Sequence, residues 1–367
     1  MSSSYSQIKA MLAITRASLK VIFRSPQAVF FSLFFPVVLI AIFGALGGNR
    51  GVSVDVAFDK NSDTTNALYQ VINASKVLNV EKADAAELQD RLKKGRITAL
   101  IDIRKQDTAG NRSPYDLHLK ATEASMKDMQ VLQSVLKEMV SAINEKASHN
   151  QFHYAAISTE VVPGRPYKMI DFYLPGMLGF SLIGAAVFGV AFVFFTFRET
   201  LVLKRLFSTP VKKTYIVLGE SIARIIFQLT TAVVLILFGK YFYNFTLANG
   251  WITFFEMMVL CLLGLIVFMG FGFAISGFAK NQNVIPVYAN LFMFPQYFLS
   301  GTFFPKGALP ASLQSFIKFL PLTALNDAMR KISFEGLHLW NVGAEIAILL
   351  GWAVIAYTLA VKVFKWE

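Results

Sequence analysis

Long apolar runs alternate along this chain with short, basic connections. Six runs are long enough to cross a bilayer at about 20 residues per crossing. They lie near 27–47, 172–196, 219–239, 252–278, 285–304 and 343–363. The fifth contains Pro286 and Pro295 and is followed by Pro305, so the pattern predicts a kinked element there. Ahead of the first run, residues 4–24 read as a helix. At 100° per residue, Lys9, Arg16, Lys20 and Arg24 fall within an arc of about 80°, with Ile8, Met11, Leu12, Ile14, Leu19 and Ile22 mostly opposite. A basic amphipathic helix of this kind is expected along a membrane surface, residues 1–26 forming an interfacial segment.

Between the first two runs the pattern becomes that of an α/β domain, residues 48–171. VSVDVAFD (52–59) alternates as a strand, and 61–76 reads as a helix with Asn61 or Ser62 as its cap. VLNVEK is a short strand, 83–96 a helix ending in basic residues, ITALIDI (97–103) a buried strand and PYDLHLKA (114–121) another. Residues 123–147 form a longer amphipathic helix. About 120 residues can bury a modest core of their own.

Composition agrees with this division. The 367 residues are 55% hydrophobic, with 35 Phe, and 16% charged, where a soluble domain carries about a quarter charged residues. The net charge is +12, yet residues 48–171 hold 17 basic and 16 acidic residues, so the excess lies beside the apolar runs. Lys9, Arg16, Lys20 and Arg24, then Arg198, Lys204, Arg205, Lys212 and Lys213, then Lys280, Lys362 and Lys365 all fall on one side if both termini are cytoplasmic. That places 48–171 outside and leaves 364–367 as a cytoplasmic tail. The charge is explained by membrane topology rather than by nucleic acid. The single cysteine, Cys261, sits in an apolar run, which excludes an intrachain disulfide and a thiolate metal cluster.

Candidate chemistry is sparse. No GxxxxGK[ST] loop is present, so any use of ATP requires a separate chain. His149 and His153 are spaced i,i+4 but lack a third ligand, and read as a solvated pair rather than a metal site. Glu220, Arg224, Glu256 and Glu345 lie near or within the runs. Glu220 and Arg224 are spaced to pair at a span end, while Glu256 and Glu345 are expected near water. The connection 197–214 is longer than a bare turn needs. RETLVLKRLFS gives two to three helical turns, Pro210 stops it, and a new helix starts near Lys212.

These residues resemble a family. FRETLVLKRLFSTPVKKTYIVLGESIAR (197–224) is similar to the cytoplasmic segment of type-2 ABC exporter permeases: an acidic residue after span two, a basic-hydrophobic helix, a Thr-Pro step and an apolar-Gly run into span three. YLPGMLGFSL (173–182) resembles the Pro-Gly start of span two. FLSGTFFPKGALPASLQSFIKFLPLTALNDAMR (298–330) resembles the Ser-Gly-x-Phe-Phe-Pro segment and the Pro-Leu-Thr and Arg that follow. Glu220 departs from the pattern, since many members carry Lys there.

The resemblance implies a polytopic α-helical membrane protein of six spans with an inserted α/β extracytoplasmic domain, five of the spans lying in 172–363, in the cytoplasmic membrane of a bacterium. It implies a transport subunit rather than an enzyme: an exporter permease for an amphipathic, drug-like or lipid-like substrate. The implied partners are two ATPase subunits that bring ATP and Mg, a second permease subunit, membrane lipid and, in some systems, an envelope accessory protein. Glu199, Lys204, Arg205, Leu206, Phe207, Pro210, Lys212 and Lys213 would couple to the ATPase, with the N-terminal helix bracing span one. An outer re-entrant segment, 304–336, would form a gate with Ser300, Gly301, Phe304, Pro305, Pro310 and Pro321. The rival readings are a membrane sensor or envelope-assembly protein using the outer domain, and a secondary transporter. The latter would show internal repeats and deep acids, which the sequence lacks.

Overall fold

The computed structural model describes residues 6–46, 54–75, 77–93, 97–105, 115–122, 126–147, 155–162, 167–200, 210–306 and 309–363. The chain forms two compact units, one spanning Gly48–Lys168 and the other joining Met1–Gly47 to Met169–Glu367.

The first unit carries a five-stranded sheet in the order β2-β1-β3-β4-β5. Its strands are β1 (Val54–Phe58), β2 (Leu78–Glu81), β3 (Ala99–Lys105), β4 (Tyr115–Thr122) and β5 (Ala155–Val162). Its helices are α3 (Ala67–Asn73), α4 (Ala85–Lys93) and α5 (Met126–Ala147). β1 pairs in parallel with both β2 and β3, β3 and β4 are antiparallel, and β4 and β5 are parallel. The parallel neighbours β1 and β2 are joined through α3, and β4 and β5 through α5, as parallel pairing requires. One face of the sheet packs Val56, Ile101, Ile103, Leu117 and Leu119 against Leu68, Ile72, Leu132 and Leu136 of α3 and α5. The other face packs Ala57 and Leu100 against Leu88 and Leu92 of α4.

Two local expectations need correction. The helix read over 61–76 begins at Ala67, and its cap is Asn66, whose Oδ1 accepts the Tyr69 N–H at 2.8 Å. Ser62 is not free to cap, because its hydroxyl donates to Ile101 O and accepts from Ile103 N–H, extending the edge of β3. Strand β5 has no counterpart in the sequence reading. Its AAISTEVV is weakly alternating, and its strand state comes from eight-residue pairing with β4.

The second unit is helical. α1 (Gln7–Phe23) leads into a helix built of Pro26–Val29, a π-helical turn Phe30–Phe34 and Phe35–Leu46, together called α2. There follow α6 (Met169–Glu199), α7 (Lys213–Tyr243), α8 (Trp251–Phe278), α9 (Ile285–Leu299), the short α10 (Ala311–Ile317), α11 (Pro321–Ser333) and α12 (Gly343–Val363). Side-chain contacts fix their directions. α2 and α7 run opposite to α6, since Phe43 stacks on Tyr173 and Leu174 lies beside Gly239 while Arg224 lies beside Gly189. α8 runs with α6, with Phe273 on Phe194 and Arg198 bonded to Ala279 O. α12 runs with α8, Gly270 packing on Ala356 and Phe271 on Trp352.

Among the described residues five helices are long and apolar enough to cross a membrane: Pro26–Gly44, Met169–Glu199, Lys213–Tyr243, Trp251–Phe278 and Leu339–Val363. The fifth run, 285–304, does not make a full-length helix. α9 stops after 15 residues, or about 22 Å at 1.5 Å per residue, against a hydrocarbon core of about 30 Å. The chain turns at Ser300–Gly301, where Gly301 adopts φ 71°, a left-handed conformation that glycine takes without strain.

Candidate functional site

Two polar regions stand out in the helical unit, one at each end. At the α1 end, α6 finishes at Glu199, which is exposed, and Arg198 donates to Ala279 O at 2.7 Å, tying the ends of α6 and α8 together. Residues 201–209, with Lys204, Arg205, Leu206 and Phe207, lie outside the described residues. The chain is described again from Pro210. There the Gln7 amide donates to Pro210 O at 2.6 Å and accepts the Lys212 N–H at 3.0 Å. Lys212 occupies the cap position of α7 and Lys213 its first turn, and both are exposed.

From that clamp α1 runs alongside the first half of α7. The Thr15 hydroxyl lies 2.9 Å from Gly219 O, and Phe23 meets Phe227 edge to face at 5.1 Å. A Cβ on Gly219 would come within 2.9 Å of Met11 O, so glycine is what lets the two backbones touch. Against the expectation that α1 braces span one, it lies mainly along span three and touches the start of span one, where Ala28 and Val29 pack into the cluster of Ile22. Its buried residues, Thr15 and Ile22, face span three, because Gly219 and Ala223 leave a groove there. Lys9, Arg16, Lys20 and Arg24 are exposed.

One turn further along α7, Arg224 Nη2 donates to Glu220 Oε1 at 2.9 Å, with side chains 12% and 3% exposed. The guanidinium lies over Gly189 of α6, where a Cβ would meet Nη1 at 2.1 Å. Two charges this deep are held by their pairing and by the small residue opposite.

At the other end α9 runs into a buried polar knot. Ser300 Oγ and Thr302 Oγ1 lie 2.8 Å apart, and Asn326 Nδ2 of α11 donates to Thr302 Oγ1 at 3.1 Å. Gln296 Oε1 accepts the Leu322 N–H at 3.1 Å, satisfying a donor in the first turn of α11 that the helix itself leaves open. Arg330 donates to Phe172 O and Gly301 O, and its guanidinium sits 4.1 Å from the Phe172 ring centroid. Lys306 pairs with Asp327. Gly176 of α6 packs directly on the Thr302 backbone. The α10–α11 turn reaches half-way along α12, where Trp352 Nε1 donates to Phe319 O at 2.8 Å.

Of the residues singled out in the sequence, Ser300 and Gly301 are in this knot and Pro321 opens α11, whereas Phe304, Pro305 and Pro310 are exposed at its margin. Gln7, Thr15, Gln296 and Asn326 were missed. A lone amide within an apolar run was the available signal for Gln296 and Asn326. Glu256 is also corrected. It is buried, not in water, with Oε1 at 3.0 Å from His338 Nδ1 and accepting the Leu339 N–H at 3.3 Å. Glu345 pairs with Lys331 at 2.5 Å. Among the described residues no group of His, Cys, Asp and Glu is placed to hold a metal ion, and His149 and His153 lie outside them.

A family model for ABC-2 family transporter proteins matches residues 27–362, nearly the whole chain. This chain belongs to the ABC-2 transporter family. The five apolar helices and the inserted sheet are thus those of a multi-pass helical ABC transporter permease. Over 98% of its length, and the whole of the relative, this ABC-2 protein is 21% identical to the linearmycin resistance permease protein LnrN of Bacillus subtilis. It is 26% identical to the probable multidrug ABC transporter permease YbhR of Escherichia coli, over 39% of each chain. It is 30% identical to nodulation protein J of Rhizobium meliloti, over 30% of this chain and 42% of that one.

Proposed function

We propose that this ABC-2 permease is the membrane subunit of an ATP-driven exporter. It moves an amphipathic, drug-like or lipid-like substrate outward between itself and a second permease subunit. Two ATPase subunits on separate chains bind ATP and Mg, supply ATP hydrolysis and dock on 199–213. The chain sits in the cytoplasmic membrane of a bacterium with both termini inside and 48–171 outside.

The observation that carries this reading is the construction of the α1 end. The segment between Glu199 and Lys213 is basic in sequence, and its exit at Pro210–Lys212 is held by Gln7 to a second helix that runs along α7. A push on 199–213 is therefore delivered to α1 and α7 together. Leu206 and Phe207 supply apolar anchors and Lys204 and Arg205 the charge for an acidic partner surface. The α9 turn, α10 and the start of α11 form a re-entrant segment that dips from the outside and gates the exit, with the Ser300–Thr302–Asn326 knot as its hinge point. Irregular backbone is tolerated at membrane depth where it is buried in protein. The names of LnrN and YbhR point to resistance and multidrug transport and favour an amphipathic cargo.

The test is purification of the tagged chain from its own host in mild detergent, with its companions identified and ATP hydrolysis assayed. A stoichiometric ATPase is expected, and Leu206→Asp or Phe207→Asp should lose it. A chain that purifies alone, without ATPase activity, overturns the reading.

A further inference from the structure

Pro36 falls in the middle of α2, where an imide nitrogen has no hydrogen to give the carbonyl four residues back. That carbonyl belongs to Ser32. The helix responds with the π-helical turn Phe30–Phe34, a local widening that accommodates such a mismatch. The carbonyl that Pro36 cannot serve is not left bare. The Ser181 hydroxyl of α6 donates to Ser32 O at 2.7 Å, and Gln228 Nε2 of α7 donates to Ser181 Oγ at 2.6 Å. All three residues are at most 4% exposed. The chain of bonds lies about 12 Å, or eight residues of helix, from the Phe43–Tyr173 stack, well inside the apolar part of the bundle.

The network is satisfied at one end and open at the other. Gln228 Oε1 is buried and has no hydrogen-bond partner among the described residues. In a low-dielectric interior a half-satisfied amide is costly, and an arrangement in which its oxygen finds a donor is a competing state.

We propose that Ser181 and Gln228 form a lock on the proline-broken turn of α2, closed in the arrangement described here and released during the transport cycle. Ser181 and Gln228 are positioning residues. They hold the first span against the second and third through a carbonyl that lacks its usual helical donor because residue 36 is proline. The release step rests on the exporter reading above. The dependence of Ser181 on Pro36 does not.

The experiment uses the full chain with its copurifying ATPase in lipid nanodiscs. Phe35 and Phe180, whose rings lie 5.4 Å apart across the lock, are replaced by cysteines in a Cys261→Ala background. Oxidative cross-linking is timed without nucleotide and with ATP plus vanadate, alongside thermal midpoints. Cross-linking is expected to be fast without nucleotide and slower when trapped. Ser181→Ala should slow the nucleotide-free rate about fivefold, the population shift expected for one hydrogen bond, and leave the trapped rate unchanged. Ser181→Thr should restore it. In a Pro36→Ala background, where residue 36 regains its N–H, Ser181→Ala should have little further effect on either the rate or the thermal midpoint. If Ser181→Ala does not assemble, Gln228→Leu is read in the same way and should show a smaller slowing. A Ser181→Ala effect of equal size with Pro36 intact and in the Pro36→Ala background overturns the assignment of the carbonyl. Equal slowing in both nucleotide states overturns release and leaves a static bond. Absence of any ATPase sinks the exporter reading and with it the release step, while the Pro36–Ser181 coupling is still decided by the thermal midpoints.

Discussion

The two units of this chain both bury an apolar core, but they differ in what they expose and in the polar groups they bury beside that core. In the sheet unit the described interior is mostly aliphatic, Val56, Ile101, Ile103, Leu117 and Leu119 among it, and each described ion pair reaches the surface through its arginine, as in Arg91 with Glu81 and Glu87 and in exposed Arg104 with buried Asp102. In the helical unit large apolar residues such as Leu291, Val354 and Val361 are turned outward. Ser181, Glu220, Gln228, Glu256, Gln296, Thr302 and Asn326 are turned inward. Both units obey one rule with two solvents. Where the surroundings are water, apolar surface is removed from contact with it. Where they are lipid, apolar burial gives no advantage and interhelical polar contacts and close packing hold the helices.

The contrast is sharpest for ion pairs. Replacing Arg224 with Leu strands Glu220 in the bundle, and a loss of about 3–5 kcal/mol is expected. Thermal unfolding of the complex in nanodiscs should show the largest drop of any substitution considered, and adding Glu220→Gln should recover much of it. Equal stability of the single and double variants would mean that water reaches the pair. The next effect in size concerns exposed positions. Val354→Asp, on the outward face of α12, should reduce membrane insertion by about 2.5–3.5 kcal/mol, measured as protease-accessible chain in vesicles. Val71→Asp, on an exposed face of α3 in the sheet unit, should stay within about 0.5 kcal/mol. A silent Val354→Asp would mean that this face does not meet lipid. A modest effect is expected for Arg91→Leu, which removes two partly exposed pairs worth about 0.2–1 kcal/mol each. Its cost should fade as salt is raised in the same unfolding assay, whereas that of Arg224→Leu should not.

Much of the fold was legible in the sequence. Run length marked the apolar helices, period-two alternation marked β1, a short apolar run marked β3, and the break at Pro210 marked the start of α7 at Lys213. What was not legible depended on partners distant in sequence. β5 is a strand because β4 pairs with it, and its own side chains give little signal. Ser62 looked like a cap until β3 claimed its hydroxyl. The end of α9 at Leu299 could not be placed, because Gln296, Thr302, Asn326 and Arg330 together stabilise the turn that follows.

The sequence by itself determined which segments avoid water, where positive charge accumulates beside them, and that an α/β unit is inserted after the first. Those properties are local, set by composition and periodicity over one or two dozen residues. Only the tertiary structure decided that α1 packs mainly on α7, that Arg224 lies over Gly189, and that the carbonyl Pro36 leaves behind is answered by Ser181. Each depends on a glycine, a hydroxyl or an amide meeting a group more than 30 residues away. Hydrogen bonds and close approaches are directional and short-ranged, so they are fixed only when the helices are in place.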